Sequence, residues 1–189
     1  MSFSLHGKKF ALRYTDAMEA ARYSAIEVLR NGRRVELRAL RPDDKEELLA
    51  AVRRTSAQSL FRRFFAAKRD FSEQEISFFL NIDFTTHVAL VAVADENGKP
   101  AIVAGARYIL LEPGKAEVAF AVIDEYQGRG IGAKLLRHLA AIARQAGLRE
   151  FAAEVLPENM PMLKVFEDSG LVVTMKRDPG VVHVVLRLA

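Results

Sequence analysis

Three glycines in five residues, Gly128, Gly130 and Gly132, stand in the stretch Gln127-Gly128-Arg129-Gly130-Ile131-Gly132. An apolar run, Val118 to Ile123, precedes them, and a strongly amphipathic segment starts at Ile131. A strand must therefore hand over to a helix through a turn almost free of side chains. Such a turn lets backbone N–H groups converge on an anion, and the helix that follows adds the positive end of its dipole. The stretch predicts a phosphate or pyrophosphate cradle; the alternative is a flexible turn without a ligand, so the flanks must decide.

The flanks alternate in period. After the turn, Ile131, Leu135, Leu139, Ile142 and Ala146 keep helical spacing, and Gly147 is placed to stop the helix. Before it, Val88 to Val93 and Ala101 to Leu111 read as strands around the turn cluster Asp95 to Gly98, and Glu117 to Ile123 supplies a third beyond Pro113-Gly114. Connections this short make the three strands antiparallel. Glu150 to Leu156 is a further strand, Asn159 to Ser169 a helix, and Val172 to Met175 and Val181 to Leu188 final strands. Towards the N-terminus, Ile26 to Leu29 and Val35 to Leu37 flank Asn31-Gly32, the dipeptide of a tight hairpin turn. A short helix is expected within Asp16 to Ala25. Pro42 opens another that runs to about Arg54, with Leu48, Leu49 and Val52 inward; Ser56 to Phe65 and Ser72 to Leu80 are helical, the latter with a capping box. The order is that of one mixed α/β domain.

Composition excludes several chemistries. Cysteine is absent, so disulfides, thiolate metal sites and a cysteine nucleophile are ruled out, and the four histidines (6, 87, 138, 183) show no ligand spacing. No metal is expected. No apolar run approaches the roughly 20 residues of a membrane span, and Met1 to Phe10 lacks the core of a secretory signal, so a cytoplasmic location is expected. The net charge of +4 is concentrated in residues 1–34, where seven basic residues face three acidic ones. They are scattered, which favours a solvated leader over a nucleic-acid or acidic-partner surface.

Three patterns occur in order: Arg38-x-x-Arg41-Pro42-x-Asp44, then Gln127-x-x-Gly130-x-Gly132 after the strand Glu117–Ile123, then Asn159 followed by Phe166, Gly170 and Leu171. Together they resemble the GNAT superfamily of acyl-CoA-dependent N-acyltransferases over about residues 33–175. Glu117 to Val122 leading into Tyr126 to Gly132, with Ser59 to Phe65 and the segment from Asp83 through His87 to Ala92, is more narrowly similar to the acetyltransferase domain of bacterial Pat-type protein lysine acetyltransferases. The resemblance implies a GNAT fold of the α/β (α+β) class, a mixed and mostly antiparallel twisted sheet flanked by helices. It divides the chain into a basic N-terminal extension with part of a hairpin, 1–32, and an acetyltransferase domain, 33–189. Pat-type domains are often fused to a nucleotide-binding or synthetase-like module, for which 189 residues leave no room.

The resemblance also implies acetyl-CoA as acyl-donor co-substrate. Its pyrophosphate is expected on the backbone of Gln127, Gly128, Arg129, Gly130, Ile131, Gly132, Ala133 and Lys134, with the Arg129 and Lys134 cations screening it or merely solvated. Its pantetheine arm is expected along Ala121, Val122 and Ile123, near Asn159, for which a helix N-cap is an equal role. A lysine amine attacks only when neutral, and its ordinary pKa is about 10.4, so a base is useful. The resemblance assigns that base to Glu117, expected to be partly buried at the start of an apolar strand; Glu154 is the second choice, and His87 is read as structural. Many superfamily members carry a proton-donating tyrosine where this chain has Phe166, and Tyr126 and Tyr108 are poor substitutes. Phe61, Phe64, Phe65, Phe71, Phe78 and Phe79 are read as core, and Arg62, Arg63, Lys68 and Arg69 as a solvated helix face. The acceptor implied is a protein lysine, with a small amine, or a silent acyl-CoA sensor, as alternatives. A homodimer is left open.

Overall fold

Short connections between apolar runs dictate the sheet. In the computed structural model, which describes residues 14–67 and 70–188, eight strands lie in the order β1-β2-β3-β4-β5-β6-β8-β7. The leader residues His6, Lys8, Lys9 and Arg13, and Lys68 and Arg69, lie outside the described residues. A helix, α1 (Tyr14–Ala21), leads into β1 (Ser24–Val28) and β2 (Arg34–Ala39). Their hairpin loop is longer than a two-residue turn: Gly32 takes φ +80°, its N–H donates to the Leu29 carbonyl, and Leu29 N–H reaches the Arg33 carbonyl at 2.8 Å. The boundary drawn after residue 32 thus falls in the loop of a hairpin whose two strands both belong to the sheet.

Three short helices follow a 3-10 turn at Pro42–Asp44: α2 (Lys45–Arg53), α3 (Ala57–Phe64) and α4 (Glu73–Leu80). Ser56 caps α3, and Ser72 with Glu75 forms the expected capping box on α4. The meander β3 (His87–Glu96), β4 (Lys99–Glu112) and β5 (Lys115–Val122) is antiparallel, as the short turns require. A second 3-10 turn, Asp124–Tyr126, joins β5 to the glycine-rich loop and α5 (Ile131–Gln145), which crosses over to β6 (Glu150–Val155). Gly147, at φ +78°, ends that crossover helix. The chain closes with α6 (Met160–Glu167), β7 (Val172–Asp178) and β8 (Val181–Arg187).

Side-chain alternation sorts the helices onto two faces. Val118, Phe120 and Tyr108 face α5 and α6, and α5 buries Ile131, Leu135, Leu136, Leu139 and Ile142 along one stripe. Each such leucine contributes about 2 kcal/mol of burial. Ala119, Ala121 and Arg107 face α2, α3 and α4 across an apolar cavity of about 110 Å³. Among the described residues no helix is long and apolar enough to cross a membrane.

Candidate active site

The central feature is a split in the sheet. β5 and β6 run parallel and pair only at Lys115/Glu150, Ala116/Phe151 and Glu117/Ala152, after which they diverge. β6 continues along β8 and β5 along β4, so among the described residues the β5 backbone beyond Glu117 has no strand on its β6 side. Ile123 N–H donates to the Val103 carbonyl at 3.0 Å, and alternation along the strand turns the polar backbone groups of Phe120 and Val122 into the split. Of the three residues expected to meet a pantetheine arm, Val122 therefore offers an outward carbonyl, which Gln127 Nε2 holds at 3.0 Å. Ala121 turns towards β4 and lines the cavity, and Ile123 is buried.

The glycine-rich loop closes the mouth of the split. Gly128 and Gly130 take φ +73° and +83°, conformations that strain any residue with a Cβ. Gly130 is the N-cap of α5 and supplies no capping side chain, so the N–H groups of Ile131, Gly132 and Ala133 are left without helix partners. Lys134 N–H is the first taken, by the Gly130 carbonyl at 3.3 Å. Converging free donors at the positive end of a 15-residue helix suit a pyrophosphate.

The loop is braced from both sides. Arg30 N–H, from the β1–β2 hairpin, donates to the Arg129 carbonyl at 3.1 Å. Gln127 Nε2 also reaches Asp124 and Ser59, both at about 3 Å, so its side chain clips the turn to α3. The Arg129 guanidinium lies 4.7 Å from the ring centroid of buried Tyr126, whose hydroxyl donates to Glu96 and accepts from Arg33, each at 3.0 Å. Lys134 differs from expectation: its ammonium pairs with Glu27 of β1 at 2.7 Å instead of facing the loop. Arg137 and His138 share that carboxylate; burial pushes its pKa up, and the hydrogen bonds from Lys134, His138 and Arg137 outweigh it and hold the pKa at about 2.

Asn159 is the N-cap of α6, its side chain accepting from Met162 N–H at 3.4 Å. Phe166 is buried against Phe120, with centroids 5.9 Å apart, and carries no proton to give. Tyr108 is fully buried with an unpartnered hydroxyl, and burial raises its pKa.

Glu117 lies at the foot of the split, on the face of Arg107 and Ala119. The partial burial expected of it is not what the structure has: its side chain is exposed, since the alternation that buries Ala116 and Val118 turns Glu117 to the other face. Glu154 shares the face, but β6 carries it away from β5 to lie 3.4 Å from His183. His87 is buried, with its ring stacked on Phe78 at 5.2 Å.

Two further corrections concern the helices over the cavity. Phe64, Phe71 and Phe79 form a ring cluster lining it, whereas Phe61, Phe65 and Phe78 are exposed, since each short helix buries a single stripe. Arg63 does not lie on a solvated face but turns into the cavity. Arg107, a single charge inside the apolar stretch Ala101 to Leu111, also lines it and escaped notice in the sequence. That isolated charge was the available signal.

The sequence profile of the Acetyltransferase (GNAT) family matches residues 54–171. Acetyltransferase Pat of Mycolicibacterium smegmatis is 34% identical over 156 residues, which are 82% of this chain and 46% of that protein, so the chain spans about half the length of that relative. Acetyltransferase PA5475 of Pseudomonas aeruginosa is 32% identical over 155 residues, 82% of each chain. Among solved structures, the GNAT domain of S. lividans PAT superposes with a TM-score of 0.79 at 39% identity, covering 87% of this chain and 96% of that one.

Proposed function

The chain belongs to the GNAT acetyltransferase family, and from that premise we propose that it transfers an acetyl group from acetyl-CoA to lysine side chains of proteins, with Glu117 as general base. The observation that carries the reading is the divergence of β5 from β6 immediately after the Glu117/Ala152 pair. It leaves a strand edge able to hold an extended arm, a donor-rich loop at one end and a carboxylate at the other.

The family supplies the acyl thioester; this chain's residues bind, orient and move a proton. Free N–H groups of Ile131 to Ala133 hold the pyrophosphate, and the Phe120 and Val122 backbone orients the arm. Glu117, exposed to the acceptor side, takes the proton of the attacking amine, directly or through one water. The C–N bond forms as the C–S bond breaks, and the electron pair leaves on sulfur. A thiol with an ordinary pKa near 8.5 leaves tolerably as its anion, so Phe166 in place of a donor is compatible with turnover. The 34% and 39% identities to the Pat relatives support a protein lysine acceptor over a small amine.

Thiol release is measured with lysine-containing protein acceptors beside a panel of free amines, and acetylated lysines are mapped by mass spectrometry. Turnover on proteins is expected. Turnover on small amines alone would replace the acceptor assignment, and acetyl-CoA binding without thiol release on any amine would make the chain a sensor.

A further inference from the structure

Two cations line the apolar cavity, and among the described residues no carboxylate pairs with either. Arg63 enters it from α3, and Arg107 stands opposite Ala119 in the β4–β5 register. Arg63 lies over the Phe64 ring at 4.8 Å, and Arg107 over the Phe79 ring at 4.7 Å. Arg107 Nη1 also donates to His87 Nε2 at 3.1 Å. Among the described residues neither guanidinium makes an ion pair; Glu117 acts on Arg63 only at longer range.

This arrangement is costly to the fold. Desolvation brings the Arg107 pKa down to about 10, helped by repulsion from Arg63, and desolvation lowers that of Arg63 too. Both side chains are half-buried; an unpaired, partly desolvated charge is destabilising, and a fold needing only filled volume gains from Met or Leu at such positions. Planar, multi-donor guanidiniums are suited to a carboxylate held in a water-poor site. The cavity of about 110 Å³ has room for a carboxylate beside the two guanidiniums.

We propose that Arg63 and Arg107 form a carboxylate-binding subsite, so that the reaction takes a substrate carrying a carboxylate. This rests on the acyltransferase reading above. The carboxylate comes on one of two partners: an acyl donor whose short chain ends in one, such as a succinyl thioester taken beside acetyl-CoA, or the lysine-bearing acceptor, as an acidic side chain next to the target lysine. It takes no part in the bond changes. The C–N bond forms, the C–S bond breaks, the amine proton passes to Glu117 and the thiolate leaves.

The test uses the full chain and two pairs of compounds. Succinyl-CoA is compared with butyryl-CoA on a neutral lysine peptide, and a lysine peptide carrying a neighbouring Glu with its Gln counterpart under acetyl-CoA. In one pair, kcat/KM for the carboxylate compound is expected to exceed its neutral counterpart by about tenfold or more; which pair does so identifies the source. Arg63→Met and Arg107→Met should each bring the ratio to within about twofold of one, while Arg107→Lys keeps part of it. Titration calorimetry on the same pairs reads the preference without turnover. Thermal melts of the Met variants, expected at or above wild type, separate this role from a structural one.

The proposal is overturned if neither pair shows a preference in rate or in binding, or if the Met variants melt several degrees lower with the ratio unchanged. A binding preference that persists without thiol release on any amine would instead sink the acyltransferase reading and leave the subsite standing.

Discussion

Arg107 Nη1 lies 3.1 Å from His87 Nε2, and because a guanidinium has no lone pair to offer, that imidazole nitrogen is the acceptor. His87 is therefore neutral, with its proton on Nδ1. Burial first, then the Arg107 charge, lower its pKa to about 4, with Asp83 pulling weakly the other way. The imidazole thus links α4, through Phe78, to the strand that carries Arg107.

A pH dependence of stability follows. An unfolded histidine takes up a proton near pH 6.5, and folded His87 does so only near 4, so the unfolded chain binds more protons between those values. Stability is full above about pH 6.5 and falls as the pH drops towards 4, by on the order of 2 kcal/mol. Urea midpoints at about pH 7 and 4.5 measure the slope, and His87→Gln should flatten it. Equal slopes in both proteins would refute the assignment.

Glu117→Gln should lower kcat by about a hundredfold, the lower range for general-base catalysis, with KM for acetyl-CoA changed by no more than about threefold. Its side chain is exposed, so the melting temperature should not move. Steady-state rates on the acceptor found by the screen decide this; unchanged turnover would remove Glu117 from the mechanism.

Gly132 separates ligand approach from backbone strain. Its φ is ordinary and an added Cβ would meet only Val165 at 3.6 Å, a normal contact. Gly132→Ala should therefore leave the fold as stable or stabilise it by up to about 1 kcal/mol, while weakening CoA binding about tenfold. Gly130→Ala is strained at φ +83°, where Cβ also meets Arg30 at 3.4 Å, and should cost about 1–2 kcal/mol of stability as well. Calorimetry with CoA and thermal melts on both variants give the comparison. An unchanged affinity in Gly132→Ala would place the pyrophosphate elsewhere.

Asp44 and Arg38 form a bidentate pair at 2.7 Å, both largely buried, and Asp44 also accepts the Arg41 N–H at 2.7 Å. Asp44→Asn leaves a buried guanidinium without its counter-charge and should destabilise by about 3 kcal/mol. At roughly 2–4 °C per kcal/mol for a chain of this size, the melting temperature should fall by about 6–12 °C. A shift under about 2 °C would mean that Arg38 finds another partner.

The elements themselves were legible because each depends on residues close in sequence. Apolar runs bounded by turn residues marked β3 to β5, the three-to-four-residue spacing of Ile131, Leu135 and Leu139 marked α5, and Ser72 with Glu75 marked the start of α4. The glycine-rich loop was legible for the same reason: a strand, three glycines and an amphipathic helix are consecutive. Side-chain orientation relative to distant segments was not. The exposure of Glu117, the pairing of Lys134 with Glu27 and the inward turn of Arg63 each depend on a neighbour far away in the chain.

By itself, the sequence determined the order of elements and an anion-ready turn at residues 127–132, since local periodicity and glycine conformation need no tertiary partner. Only the tertiary structure decided that β5 parts from β6 at Glu117, and that Arg63 and Arg107 meet in one apolar cavity without a counter-ion among the described residues. Register and burial arise from contacts between segments, and no window along the chain contains both sides of such a contact.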